Sequence, residues 1–205
     1  MNEFDKKARE WDANQEHWER SAAIVNQITE LIPLNPGMTA LEFGAGTGIA
    51  GFLLKDKLKE VILLDSSREM VTIINEKIEA SGTGNITTLF MDLEKDDLPG
   101  IKVDLIITQL ALHHVTDIKT ITGRFYKLLK HGGYLAAADL YPEDGSFHGA
   151  GFSGHNGFDP EAFSAIVRSE GFRDISFRKC FVINKKKAES DIRQYDVFLL
   201  VARKD

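Results

Sequence analysis

Apolar residues along this chain follow two rhythms. Ile24, Val25, Ile28, Leu31 and Ile32 recur at helical spacing after Ser21, a residue suited to cap a helix, and Pro33 and Pro36 close that segment. Short and nearly continuous apolar runs come next, at 39–43, 61–64, 86–91, 103–110 and 134–140. Runs of that kind read as strands buried on both faces of a parallel sheet. Between them the pattern predicts helices from about Gly48 to Lys57, from Ser67 to the stop at Gly82 and Gly84, and from beyond Leu110 to Lys130. His131-Gly132-Gly133 reads as a turn, and Asp159 as the cap of a last helix ending near Gly171. Two more strand patterns, 175–184 and 192–202, are separated only by a turn and must pair antiparallel. Five parallel strands followed by an antiparallel hairpin make an α/β sheet with helices on both faces. A dehydrogenase-type nucleotide sheet would continue with a parallel crossover instead.

Composition narrows the class. A length of 205 residues suits one domain, and 43% hydrophobic with 27% charged residues is ordinary for a globular protein. No apolar run approaches the ~20 residues of a membrane span. The polar N-terminus does not resemble a secretion signal, so a cytoplasmic location is expected. The net charge of −6 argues against a nucleic-acid partner. Lys185-Lys186-Lys187 reads as a solvated turn, and the single cysteine, Cys180, as a buried core thiol.

The chemistry concentrates after the first strand, in Glu42-Phe-Gly-Ala-Gly-Thr-Gly48. Glycines between a strand and a helix let a ligand approach the backbone. Residues 46–51 even match the dinucleotide pattern G-x-G-x-x-G. Glu42 decides against that reading, because a pyrophosphate on this loop would face its carboxylate. A cationic ligand without phosphate fits better, and S-adenosylmethionine carries an ammonium and a sulfonium. Asp65, ending the second strand, can accept from both ribose hydroxyls, and Asp92, ending the third, from the adenine amino group. All of these lie at carboxyl ends of parallel strands, where such sheets bind ligands.

At this point the sequence resembles the class I S-adenosylmethionine-dependent methyltransferases, of the UbiE-like small-molecule type. The segments that carry the resemblance are Leu41-Glu-Phe-Gly-Ala-Gly-Thr-Gly48, Leu64-Asp-Ser-Ser-Arg-Glu-Met70, Met91-Asp-Leu93, the stretch from Asp104 to Val115, and Leu128-Leu-Lys-His-Gly-Gly-Tyr-Leu135. They run in family order across 38–140. The family implies a Rossmann-like doubly wound sheet of seven strands, the last antiparallel. It implies cofactor contacts from Glu42, Gly44, Ala45, Gly46, Gly48, Asp65, Ser66, Met70, Asp92, Leu93 and Gln109, with S-adenosylhomocysteine as product. It places a helical cap at 1–35, the cofactor core at 36–140, a lid at 141–158, and a closing helix and hairpin at 159–205, all one domain. A small-molecule acceptor is expected, with no nucleic-acid or membrane partner. The oligomeric state stays open. A nicotinamide-dependent oxidoreductase and a cofactor-binding protein without turnover are the competing readings.

Five of the six histidines lie between residues 113 and 155. His113 and His114 follow the fourth strand; His148 and His155 lie in a glycine-rich insertion after the fifth. Three readings of them stand side by side. They hold the loop in place; or His113, His148 or His155 acts as a general base; or His113 or His114 joins His148, His155 and Asp139 or Glu143 around a metal. The spacing matches no compact metal motif, so no metal is expected. Trp11 and Trp18 precede the core and are candidates to cover the cofactor or stack on a substrate.

Overall fold

The computed structural model describes residues 3–98, 100–188 and 191–205. Seven strands form one sheet: β1 (Thr39–Phe43), β2 (Glu60–Asp65), β3 (Ile86–Phe90), β4 (Val103–Gln109), β5 (Leu129–Leu140), β6 (Phe172–Ala188) and β7 (Asp191–Lys204). Their order is β3-β2-β1-β4-β5-β7-β6. Neighbours among β1 to β5 are parallel, and β7 runs antiparallel between β5 and β6. The Rossmann-like doubly wound sheet with its last strand antiparallel is therefore what forms. The strand order reverses at β1 and β4, and the crevice at their carboxyl ends is the switch point where such sheets bind ligands.

Five α-helices cover the sheet: α1 (Gln15–Leu31), α2 (Ile49–Leu54), α3 (Arg68–Ser81), α4 (Ile118–Leu128) and α5 (Pro160–Ser169). Period-two alternation in the strands divides the core. Ala40, Val61, Leu105 and Ala136 pack with α1, α2 and α3, whereas Leu41, Ile62, Ile106 and Leu135 pack with α4 and α5. No described helix is long and apolar enough to cross a membrane.

Several boundaries differ from the sequence reading. Asn14, not Ser21, caps α1, because its side chain accepts the Glu16 N–H at 3.0 Å. Ser21 lies inside that helix and is buried. The segment after β4 does not run straight into a helix. Leu110 takes a left-handed backbone (φ 50°), Leu112–His114 forms one 3-10 turn, and α4 begins only after its cap Asp117. His131-Gly132-Gly133 is a bulge within β5 rather than a turn before it. Val103 pairs with Leu129 and Leu105 with Tyr134, so residues 130–133 stand opposite Asp104 alone. Lys185 and Lys186 lie in β6, which extends beyond the predicted run. The turn at 189–190 lies outside the described residues. Cys180 is buried, and desolvation pushes its thiol up to about 12.

Candidate functional site

The loop from Gly44 to Gly48 takes its shape from three left-handed glycines, with φ of 65° at Gly44, 56° at Gly46 and 79° at Gly48. A Cβ on Gly44 would stand 2.5 Å from that of Ala111, so the loop presses against the segment leaving β4. Three of its N–H groups are already donated within the protein. Ala45 donates to Leu64 O, Gly46 to Asp65 Oδ2 at 2.7 Å, and Gly48 to Ala45 O. Asp65 is 8% exposed, and its other oxygen accepts the Ser67 N–H at 2.8 Å. Burial raises its carboxyl above the usual range, against the pull of those hydrogen bonds.

Glu42 is fully buried at 0% exposure. Its Oε2 accepts the Gly51 N–H at 2.9 Å and its Oε1 accepts from Gln109 Nε2 at 3.1 Å. Gln109 in turn accepts from the Ser21 hydroxyl at 3.1 Å. A chain of hydrogen bonds thus joins α1, the end of β4, β1 and α2. Desolvation pushes the Glu42 carboxyl up to about 7, although both hydrogen bonds oppose the shift.

A cavity of about 680 Å³ opens over these strand ends. Gly44, Ala45 and Gly46 line it after β1, Asp65 and Ser66 after β2 with Met70 from α3, Asp92 and Leu93 after β3, and Gln109 at the end of β4. Six of the sequence candidates lie outside its wall: Glu42, Gly48 and His155, and also Trp18, Asp139 and Glu143. Glu42 is sealed behind Gln109. Gly48 is a packing glycine, where a Cβ would meet Leu63 Cδ1 at 2.7 Å. His155 donates its N–H to His113 O and turns its ring toward Phe158.

The N-terminal segment closes one side. The Thr47 hydroxyl donates to Asp12 at 2.5 Å, Lys77 pairs with Asp12 at 2.8 Å, and the Ser67 hydroxyl donates to Asp5 at 2.6 Å. These contacts hold Phe4 and Trp11 in the cavity wall. Trp18 stays outside it, with its indole N–H on Asp12 O. His17 faces Trp11 at a ring distance of 4.3 Å, and burial, aided by the Arg20 charge, lowers its pKa.

Next to Phe4, whose ring meets that of His114 at 5.0 Å, stand the histidines. His113 is 1% exposed; its Nδ1 lies 2.6 Å from Oδ1 of the fully buried Asp139, whose Oδ2 accepts the His113 N–H at 3.2 Å. His114 and His148 stand beside it, and all three line the cavity. The insertion reaches this place by close backbone contact: a Cβ on Gly154 would sit 2.2 Å from His113 O. Glu143 turns away and accepts the Phe147 N–H at 2.9 Å.

Sequence reading missed Arg20. This residue is 8% exposed and lines the cavity, and its Nε has no hydrogen-bond partner among the described residues. Burial lowers its pKa to about 10, so the guanidinium remains charged at neutral pH. The signal was present: Arg20, Ile24 and Ile28 share one helical stripe, and a cation on an apolar stripe needs a partner.

The loop chemistry tests whether S-adenosylmethionine fits. A pyrophosphate would find Ala45, Gly46 and Gly48 without a donor to spare and two carboxylates nearby. A cationic, phosphate-free nucleoside derivative meets acids and exposed glycine backbone instead, and the residues present suit it.

Comparison with known proteins agrees. Residues 40–133 match a family described as methyltransferase domain, a general grouping rather than the UbiE-like subtype. An uncharacterised methyltransferase of Schizosaccharomyces pombe is 30% identical over 168 residues, covering 74% of this chain and 57% of the relative. A malonyl-[acyl-carrier protein] O-methyltransferase of a Marinomonas species is 26% identical over 139 residues, covering 67% and 50%. The chain thus spans about half the length of these curated relatives. The crystal structure of the YcgJ protein from Bacillus subtilis superposes with a TM-score of 0.73 at 15% identity, covering 88% of this chain and 97% of that one.

Proposed function

We propose that this chain, which belongs to the class I S-adenosylmethionine-dependent methyltransferases, transfers a methyl group from S-adenosylmethionine to a small-molecule acceptor that carries an anionic group. The observation behind this reading is the division of one cavity into two chemical halves. Around β1, β2 and β3 the wall is acidic, with Asp65, Asp92 and Glu94 beside a glycine loop whose Gly46 N–H is held by Asp65. Around β4, β5 and β6 it holds His113, His114, His148, Lys185 and buried Arg20.

When bound, S-adenosylmethionine supplies a methyl group already activated on a sulfonium. The protein's task is then to align the acceptor and exclude water. Asp65 and Asp92 would take hydroxyl and amino donors of the adenosyl end. Ser66, Met70 and Leu93 would flank it, and Gly44 to Gly46 would let it approach the backbone. Glu42 acts on the cavity through Gln109. Trp11 and Phe4 cover the opening and keep water out. His113, with Asp139 behind it, and His148 face the acceptor half.

Arg20 supports the choice of acceptor. A buried guanidinium with no ion pair among the described residues is costly, and an anion entering the cavity would offset that cost. The charged groups it feels are Glu16, one turn earlier on α1, and Asp139, which lies behind His113. The name of the Marinomonas relative also points to an acyl acid as acceptor. The UbiE-like subtype, the single-domain division into cap, core, lid and hairpin, a cytoplasmic location and independence of nucleic acid belong to the same reading. The net charge of −6 supports the last of these.

Calorimetry with S-adenosylmethionine and with NAD tests the cofactor, and transfer of labelled methyl to a panel of carboxylate and phosphate compounds tests the reaction. Binding of S-adenosylmethionine alone, with label moving to acidic acceptors, is expected. Binding of NAD instead, or no transfer to any acid, would overturn the proposal.

A further inference from the structure

We infer that His113, His114 and His148 form a binding site for a divalent transition metal on the acceptor side of the cavity. The inference deepens the methyltransferase reading and rests on it for the metal's purpose, though not for the metal's binding.

Each of the three residues offers a ring nitrogen, and these nitrogens lie within 4.8 Å of one another. The rings make a nearly regular triangle, with centroids 4.3 Å apart for His113 and His114, 5.0 Å for His113 and His148, and 4.9 Å for His114 and His148. Two ligands come from the turn after β4, and the third from the insertion after β5. The His155 N–H bonded to His113 O at 2.8 Å ties that insertion to the turn.

Asp139 is the second, independent sign. A metal-binding imidazole characteristically donates its other N–H to a carboxylate, which fixes its tautomer and raises its basicity. Asp139 is 0% exposed and holds His113 at Nδ1 with a 2.6 Å contact. It also accepts the Leu140 N–H at 2.7 Å, so it cannot swing away. With Nδ1 set against Asp139, Nε2 is the His113 nitrogen left for a metal.

The ligand chemistry narrows the metal. Three imidazoles suit zinc, cobalt, iron or nickel rather than magnesium or calcium. Zinc–nitrogen bonds of about 2.0–2.1 Å would draw tetrahedral ligand nitrogens to roughly 3.4 Å apart. The glycine-rich insertion that carries His148 can supply that closure. Three protein ligands leave a coordination position open, and all three histidines line the cavity. An oxygen-bearing acid held there would be oriented and polarised beside Arg20.

The test uses tag-free protein, stripped with a chelator and titrated with cobalt(II) alone. One equivalent should bind per chain and give visible d–d absorption of a nitrogen-ligated site. His148→Ala, a change confined to the insertion, should abolish stoichiometric binding while S-adenosylhomocysteine still binds as in the parent. Asp139→Asn should weaken cobalt roughly ten- to a hundredfold without removing a ligand. Failure of the parent to bind cobalt stoichiometrically, or equal binding by His148→Ala, would overturn the metal site. Either result would leave the methyltransferase reading intact, because S-adenosylhomocysteine binding tests that separately.

Discussion

Replacing Glu42 with glutamine isolates the least expected feature of the site. The carboxyl is wholly buried and its pKa is pushed from 4.5 to about 7. In the unfolded chain it returns to the ordinary value. Below both values the proton is bound in both states. Between them the folded protein keeps a proton that the unfolded chain has released, so stability is lost as pH rises. Above about pH 7 both states are ionised and the loss is complete. At about 1.4 kcal/mol for each pH unit, the loss amounts to about 2.5 kcal/mol between about pH 5 and pH 8. Glutamine removes this titration at little structural cost. Its amide oxygen can accept the Gly51 N–H, and Gln109 can flip so that its own oxygen accepts from the new amide and its nitrogen faces Ser21. Urea unfolding of both proteins across that pH range is the assay. Asp65 and His17 titrate in both proteins and cancel in the difference. The parent should lose about 2.5 kcal/mol relative to the variant on going from low to high pH. Parallel pH profiles would refute the argument. A cation in the cavity should favour the ionised form, so the parent's affinity for S-adenosylmethionine should also rise across neutrality relative to the variant.

Three further outcomes follow from the same geometry. Asp65→Asn places an amide where two backbone N–H groups converge, and should cost about 1–3 kcal/mol in stability, with weaker S-adenosylhomocysteine binding by calorimetry; an unchanged dissociation constant would remove Asp65 from the adenosyl site. Arg20→Gln should weaken malonate binding to the S-adenosylhomocysteine complex roughly tenfold or more, the worth of a charged hydrogen bond, while leaving S-adenosylhomocysteine affinity within about twofold. Loss of S-adenosylhomocysteine affinity instead would assign Arg20 to the cofactor's own carboxylate. Gly48→Ala forces an L-residue into φ 79° against Leu63 and should destabilise by about 2–4 kcal/mol in chemical melts. Gly84→Ala, with nothing within 4 Å of the added carbon, serves as the neutral control.

What could be read from the sequence was whatever local chemistry decides. The apolar runs located the five parallel strands, because strands buried in a parallel sheet leave a nearly continuous signal. The closing antiparallel pair followed from the shortness of its connection. Boundaries were less legible where a longer-range contact competes. Ser21 looks like a helix cap until Gln109 claims its hydroxyl and Asn14 caps the helix earlier. His131-Gly132-Gly133 looks like a turn until β4 draws it into a bulge.

The site divides along the same line. Glycines, Asp65 and Asp92 were legible because strand ends fix their positions. Glu42 was legible as a charge but not as a buried one, since its depth depends on how Gln109 and Gly51 close over it. Arg20 shows the general case. Its sequence context is a polar run entering a helix, and only the stripe it shares with Ile24 and Ile28 betrays that it points inward. Glu42 is also buried and also strongly shifted by desolvation, and the two stand on opposite terms with their neighbours. Two hydrogen bonds satisfy Glu42 within the fold, so its burial sets the field around the adenosyl half. Arg20 has an Nε unsatisfied among the described residues, and an anionic ligand would satisfy it. The satisfied group therefore belongs to architecture and the unsatisfied one to recognition, which is why the acceptor's charge, rather than its carbon skeleton, is the property this structure specifies.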